Sequence, residues 1–366
     1  MCHDFSARGL NPWDMISSGL GHAMSHRGSD TLPVIPAARY FYNEPKDKVC
    51  INSVNASEHS VSTTKIFTVG EKQMIIDWLK EFPTGILSIV ADTFDLWKLL
   101  TEYIADPEVK ELIMNRNGTL VIRPDSGDPV DIICGKTSWE KATKYCYKPS
   151  IDNSRSIAQA AQDSGSFYHK GKLYTFNADL FDELEDEYGE NVWEGDCSDF
   201  YTVTEISNGE SKGVIELLWD TFGGTVNDQG YKVLDPHIGA IYGDAITLDR
   251  QVQIYSRLAD KGFAATNIVL GVGSFTYQFN TRDTFGFAAK GGWFETDEKA
   301  YNIYKDPITD DGTKKSPKGL LQVKDGVLKD QCTWEEEEDS DLRVIFENGK
   351  FYNQTTLTEI RKRLNG

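Results

Sequence analysis

Apolar and polar positions change rhythm repeatedly along this chain. Short runs of β-type residues, Ile86-Leu87-Ser88-Ile89-Val90, Leu120-Val121-Ile122, Ile238-Gly239-Ala240-Ile241-Tyr242 and Asn267-Ile268-Val269-Leu270, each break off at small or charged residues. Around them the spacing turns helical. The stretch Glu71 to Glu81 puts Met74, Ile75, Trp78 and Leu79 on one face, with Phe82 just beyond. Thr247 to Lys261 opens on a Thr cap, points Val252, Tyr255 and Leu258 inward and stops at Gly262. Strands alternating with helices predict a parallel sheet.

The strand ends carry the chemistry. Asp92 follows the first run, Arg123-Pro124-Asp125-Ser126-Gly127-Asp128-Pro129 closes the second, Gly243-Asp244 the third, and Gly271-Val272-Gly273-Ser274 the fourth. Ligands of α/β folds gather where strands end and loops begin. An arginine there is a bidentate donor for phosphate, and a Ser-Gly turn lets backbone N–H groups approach an anion. Asp125 would repel a phosphate, but it suits a sugar hydroxyl or a magnesium ion bridging to phosphate oxygens. Alone, the Arg123 stretch also reads as a surface turn with a local ion pair. Its recurrence at four strand ends favours one shared site at the top of a β/α barrel.

Between about Ile133 and Ser211 the alternation fails and the chain becomes polar, aromatic and acidic. Ser166 to Phe176 has a hairpin pattern around Lys170-Gly171, Asp179 to Tyr188 reads as a short acidic helix, and Phe200 to Val203 as another strand. The expected layout is a first catalytic part over 1–132, an α+β insertion over 133–211, and a second catalytic part with the C-terminal segment over 212–366. The insertion reads equally as a lid over the site or as a solvated ornament. Glu335-Glu336-Glu337-Glu338-Asp339 reads as a solvated loop.

Composition narrows the function. The 366 residues suffice for one large barrel-type domain or two smaller ones, and a net charge of -19 argues against nucleic acid and anionic membranes as partners. A phosphorylated substrate remains open, because a local cluster of donors can outweigh the global field. Cys2, Cys50, Cys134, Cys146, Cys197 and Cys332 show neither CxxC spacing nor the density of a disulfide scaffold, which fits a reduced, cytoplasmic compartment. No apolar run is long enough to cross a bilayer, and the first residues do not read as a signal peptide. The six histidines form no zinc pattern, and no GxSxG elbow, P-loop or full GxGxxG is present. His59, after Glu58, is a candidate strand-end histidine, with a neutral core histidine as the alternative.

These residues together carry a resemblance. His3-Asp4-Phe5-x-x-Arg8-Gly9, Gly28-Ser29-Asp30-Thr31, Glu58-His59-Ser60, Asp92-Thr93-Phe94-Asp95, Ile122-Arg123-Pro124-Asp125-Ser126-Gly127, Gly243-Asp244, Thr281-Arg282-Asp283 and Lys305-Asp306-Pro307 occur in this order. The chain resembles the C-terminal two-thirds of the nicotinamide phosphoribosyltransferase family, broken mainly by the 133–211 insertion. The resemblance implies an α/β fold of type II phosphoribosyltransferase kind, with an α/β-barrel-like catalytic domain and a small α+β insertion. The implied reaction joins nicotinamide to phosphoribosyl pyrophosphate, giving nicotinamide mononucleotide and pyrophosphate for NAD biosynthesis.

Site roles follow from the same resemblance. Phe5 is expected to stack on the pyridine ring. Asp30 is expected to accept from the carboxamide N–H, a choice that would repel the carboxylate of nicotinate. Arg8, His59 and Arg123 would hold pyrophosphate, and His59 would also be phosphorylated from ATP. Arg123, Pro124 and Asp125, with Gly243 and Asp244, would hold ribose and base. Gly273, Ser274 and Arg282 would meet the 5′-phosphate, and Lys290 and Lys305 would add charge. Asp125 and Asp244 suit the positive charge of an oxocarbenium-like transition state, and Asp92 and Asp125 would assist Mg²⁺, through water in the case of Asp92.

Two departures shape the remaining expectations. Ser274 stands where the family has glycine. An N-terminal portion that supplies a second stacking aromatic and part of a dimer interface is missing from the match, and the opening at His3 reads like the middle of a functional loop. The chain is therefore expected to be a split enzyme with a separately encoded N-terminal partner, a truncated product, or a compensated deletion. A two-fold homodimer is expected, with apolar surface at Leu10, Trp13, Met15 and Ile16. A nicotinate-specific enzyme and a catalytically silent subunit are the competing readings.

Overall fold

The four apolar runs form strands, and three shorter strands join them. The computed structural model describes residues 1–136, 166–169, 172–176, 201–243, 245–278, 284, 289–297, 299–310, 312 and 314–365. In chain order the strands are β1 Cys2–Asp4, β2 Gly28–Ser29, β3 Asn55–Ala56, β4 Leu87–Val90 and β5 Leu120–Arg123. After them come β6 Ser166–His169, β7 Lys172–Phe176, β8 Tyr201–Glu205, the hairpin β9 Gly224–Val226 with β10 Lys232–Leu234, then β11 Ile238–Tyr242 and β12 Ile268–Val272. Seven of them make one sheet in the order β2-β1-β12-β11-β5-β4-β3. Every neighbouring pair in it is parallel. The two edges draw together as well: Gly28 of β2 bridges Asn52, just ahead of β3, and the Ser29 N–H donates to the Asn52 carbonyl at 3.0 Å. The sheet therefore curls toward a barrel, as the alternation predicts.

Strand residues alternate between the two faces. Leu87 and Ile89, Leu120 and Ile122, Ile238 and Ala240, and Ile268 and Leu270 all point into the main hydrophobic core. The helices supply the other half of that core. They are α1 Pro12–Ser25, α2 Val34–Tyr42, α3 His59–Val69, α4 Glu71–Glu81, α5 Leu96–Lys98, α6 Pro107–Met114, α7 Pro129–Cys134, α8 Asn208–Phe222 and α9 Leu248–Asp260. Met74, Ile75 and Leu79 of α4 are buried in it, as the spacing predicts, together with Ile76. The opposite strand face, with Val121 and Arg123 of β5 half-buried, looks into the mouth of the curl.

Two local expectations are corrected. On α9 the Thr247 cap forms, accepting from the Arg250 N–H, but Val252 is 67% exposed. Ile254 and Leu258, one turn apart, are the buried pair. The glutamate run is no loop: Trp334–Glu338 is a short solvated helix closed by a capping box between Thr333 and Glu336.

Within the polar region, β6, β7 and β8 form their own antiparallel sheet, with Ser166 opposite Thr175. The acidic helix expected over Asp179 to Tyr188 lies outside the described residues. The region meets the core at a tight neck. Gly135 and Gly213 both have positive φ, and a Cβ on Gly213 would strike the backbone of Cys134 and Gly135. Lys261 Nζ closes the neck, donating to the carbonyls of Cys134 and Lys212 at 2.7 Å each. Near the start of the chain Trp13 is 80% exposed, while Leu10, Met15 and Ile16 are half-buried. No helix among the described residues is long and apolar enough to cross a membrane.

Candidate functional site

Because the seven strands are parallel, their C-terminal ends share one rim, and each end carries a residue singled out above. Phe5 follows β1, Asp30 follows β2, and His59 lies just past β3 as the first residue of α3. Asp92 lies past β4, Pro124 and Asp125 follow β5, Gly243 follows β11, and Gly273 and Ser274 follow β12.

The most tightly bonded group is His59, Asp92 and Lys305. His59 Nε2 lies 3.0 Å from Asp92 Oδ1 and 2.9 Å from Lys305 Nζ, while Lys305 Nζ donates to Asp92 Oδ2 at 3.2 Å. A protonated Nε2 donates to the carboxylate; an unprotonated one accepts from the ammonium. Asp92 is fully buried, which by itself would raise its pKa. The hydrogen bond from His59, the positive charge of Lys305 and a hydrogen bond with Ser126 overcome burial and hold the carboxyl well below its ordinary value. Lys305 is fixed by its backbone, which exchanges hydrogen bonds with Ser316, its N–H donating to Ser316 Oγ at 2.8 Å.

The loop after β5 is held from outside. Asp128 does not face this group; it caps α7, accepting from the Val130 and Asp131 N–H groups. Ser126 is buried and shares a hydrogen bond with Thr309, and Tyr242 donates to the Gly127 carbonyl at 2.7 Å. Gly127 has φ 83°, and a Cβ there would run into the Thr309 carbonyl. Lys314 Nζ donates to the Asp125 carbonyl. The segment from Lys305 to Lys314 thus braces the loops after β4 and β5.

A second group forms at β1 and β2. Arg123 donates from Nη2 to the Ser57 carbonyl at 3.0 Å, and its Nε is buried without a hydrogen-bond partner. Asp30 Oδ1 accepts from Ser53 Oγ at 2.6 Å and lies 3.2 Å from His3 Nε2. His3 Nε2 is buried without a hydrogen-bond partner, so its approach to Asp30 is a close contact rather than a hydrogen bond. Partial burial pushes the Asp30 pKa up, but the approach of His3, the hydrogen bond from Ser53 and the nearby charge of Arg123 bring it below its ordinary value. Phe5 lies beside these groups, its ring tilted against that of His3. Its ring centroid is 4.5 Å from that of His3, and Gly271 and Gly243 leave room for it, since a Cβ on Gly271 would sit 2.9 Å from Phe5 Cδ2.

Other expected residues stand apart. Arg8 and Lys290 are exposed, and Ser274 is buried at the start of the short helix Ser274–Gln278. Asp244 and Arg282 lie outside the described residues. Sequence reasoning passes over Ser53, Ser57 and Thr309 and gives the side chains of His3 and Ser126 no site role, although both stand in its motifs; the partners of all five lie far along the chain. It also passes over Glu71. That carboxyl opens α4, and its Oε1 is buried with no hydrogen-bond partner. Burial first, then the charges of Asp95 and Asp92 against an opposing Lys98, push its pKa up to about 7. Among the described residues no three His, Cys, Asp or Glu side chains are grouped to hold a metal.

Comparison with known proteins now bears on this site. The model of the nicotinate phosphoribosyltransferase (NAPRTase) family matches residues 1–156 and 143–350. Nicotinamide phosphoribosyltransferase of Acinetobacter baylyi is 36% identical over 99% of the chain and 60% of its own length. The protein of that name from Mycoplasma pneumoniae is 32% identical over 88% of the chain and 55% of its own length. The one from Xanthomonas campestris pv. campestris is 28% identical over 98% of the chain and 61% of its own length. The chain thus spans between 55% and 61% of the length of these relatives.

Proposed function

The chain belongs to the nicotinate phosphoribosyltransferase family, and we propose that within it the chain serves the condensation of nicotinamide with phosphoribosyl pyrophosphate. The observation that carries this reading is the shared rim: seven parallel strand ends bring an aromatic floor, a carboxylate at each end of the site, a half-buried arginine and the His59–Asp92–Lys305 group to one mouth. The pyridine lies on Phe5 with its carboxamide N–H toward Asp30. Arg123, His59 and Lys305 take the diphosphate, with Arg8 and Lys290 adding charge at the surface. Pro124, Asp125, Gly243 and Asp244 hold the ribose, while Gly273, Ser274 and Arg282 take the 5′-phosphate.

In the reaction the ring nitrogen attacks C1 of the ribose as the bond from C1 to the diphosphate oxygen breaks. Pyrophosphate leaves with the electron pair, the ring becomes a pyridinium, and no proton needs to move. The negative charges of Asp125 and Asp244 suit the positive charge that develops at the ribose. Magnesium neutralises the leaving diphosphate when bound. The residues fit an ion brought in on the substrate's phosphates rather than held in a protein cage: Asp92 has both oxygens engaged by His59 and Lys305, and Asp125 is the half-buried carboxylate at the same rim. ATP belongs to the same proposal. Its γ-phosphoryl passes to an imidazole nitrogen of His59, ADP leaves, and hydrolysis of the phosphohistidine drives the condensation.

A cytoplasmic two-fold homodimer, and a further segment of the kind the longer relatives carry, complete the proposal. The 133–211 region is treated as an insertion on the Gly135–Gly213 neck. The test is direct: the purified chain, with magnesium and with or without ATP, is given phosphoribosyl pyrophosphate and either nicotinamide or nicotinate. Formation of nicotinamide mononucleotide, faster than nicotinate mononucleotide and lost in Arg123→Ala, is the expected result. Preferential use of nicotinate overturns the amide reading, and failure to bind phosphoribosyl pyrophosphate overturns the site.

A further inference from the structure

Asp30 does not stand alone at its strand end. Ser53 Oγ donates to Oδ1 at 2.6 Å, and His3 Nε2 lies 3.2 Å from the same oxygen. Both neighbours therefore converge on one carboxylate oxygen, and Oδ2 is left to meet whatever enters the mouth. His3 is itself tightly bracketed. It is buried, its ring centroid is 4.5 Å from that of Phe5, and a Cβ on Gly28 would sit 2.7 Å from its Nδ1. Any side chain at position 28 would crowd the imidazole, so the glycine leaves room for His3 beside Asp30. Ser53 comes from the other edge of the sheet, one residue after Asn52, which bridges Gly28. The closure of the curled sheet thus brings the hydroxyl to the carboxylate.

We propose that His3 and Ser53 are positioning residues that fix Asp30 as a one-oxygen acceptor, and that they set the selectivity of the site for a neutral pyridine carboxamide over the isosteric carboxylate. A free aspartate rotates about its last bond and offers either oxygen. It can also turn away and relieve repulsion with an incoming carboxylate. With Oδ1 held by the Ser53 hydrogen bond and backed by the buried His3 imidazole, the carboxylate is less free to turn, and Oδ2 is the oxygen left for the substrate. An amide N–H is rewarded there, and a second carboxylate meets a negative charge that cannot withdraw. The proposal rests on the reading that Asp30 faces the carboxamide.

The test is equilibrium titration of the full chain with nicotinamide and with nicotinate, for wild type, Ser53→Ala, Ser53→Thr, His3→Gln and Asp30→Asn. Ser53 is exposed, so its variants should fold even where a change at buried His3 does not. Loss of one hydrogen bond to a charged group corresponds to about a tenfold change. The nicotinamide-to-nicotinate affinity ratio should fall about tenfold in Ser53→Ala and in the same direction, by less, in His3→Gln, which removes a close contact rather than a hydrogen bond; Ser53→Thr should restore it. In Asp30→Asn the ratio should collapse regardless of the other two. An unchanged ratio in Ser53→Ala, with a collapse in Asp30→Asn, overturns the positioning role and leaves the Asp30 reading standing. An unchanged ratio in Asp30→Asn, or no binding of either pyridine by wild type, overturns the reading beneath it.

Discussion

Glu71→Gln should make the protein more stable at alkaline pH than at acid pH, relative to wild type. The reason is the burial of Glu71 at the start of α4, where Oε1 has no hydrogen-bond partner and the carboxyl pKa is pushed up to about 7 from its ordinary 4.5. The unfolded chain releases this proton near the lower value, while the folded chain keeps it until the higher one. Between the two the folded state binds more protons, so stability falls as pH rises through that window, and above it the penalty is complete. About 2.5 pH units at roughly 1.4 kcal/mol each gives a penalty of about 3 kcal/mol. Glutamine keeps the shape and removes the titration. It also forfeits the charge at a helix N-terminus, worth about 0.3–1 kcal/mol, but that loss is present only where wild type is ionised and slightly reduces the contrast. Urea denaturation of both proteins at about pH 5 and about pH 8 measures the effect, and taking the difference between them cancels every other titrating group. Stability of the variant relative to wild type should rise by about 2–3 kcal/mol between the two conditions. Parallel pH dependences would refute the argument, because they would mean that Glu71 ionises as freely in the fold as in the unfolded chain.

Two further perturbations probe the rim. Lys305→Met leaves the buried Asp92 carboxylate with His59 and Ser126 but no cation fixed beside it, and should cost about 3–5 kcal/mol. Asp92 has a depressed pKa, so its contribution is present above the ordinary carboxylate range and is lost as pH falls. The variant should therefore acid-unfold at a higher pH than wild type, as followed by circular dichroism; an unchanged acid midpoint would show that Lys305 does not hold Asp92 ionised. Gly271→Ala places a methyl 2.9 Å from Phe5 Cδ2 and against the Gly243 backbone. It should cost about 1–3 kcal/mol in urea denaturation and weaken nicotinamide binding by displacing the ring; full stability with unchanged binding would place Phe5 elsewhere.

How much of this was legible in the sequence depends on the distance over which each signal acts. Strand ends are local, so Asp92, Arg123, Asp125 and Gly243 could be found where apolar runs stop. On α9 the spacing places Leu258 and Tyr255 correctly against the core but misplaces Val252, which is apolar yet 67% exposed, and misses Ile254. Here the neighbours, and not the residue type, choose the buried stripe. Thr333-x-x-Glu336 carried a capping box that the glutamate run concealed. Partners across the fold have no sequence signal at all: Lys305 meets Asp92 over a separation of 213 residues, and Ser53 meets Asp30 over 23. His3 is different, since alternation alone could have found it. In an extended strand His3 and Phe5 share a face, while Asp4 takes the other. The structure obeys that parity: Asp4 lies near Gly19 of α1, on the helix side, and His3 lies with Phe5. Register does the rest, pairing His3 with Gly271 on one side and Gly28 on the other. Two glycines flanking a histidine leave space for the imidazole between the neighbouring strands. Once Phe5 is taken as the floor of the site, the parity of β1 makes His3 part of its wall.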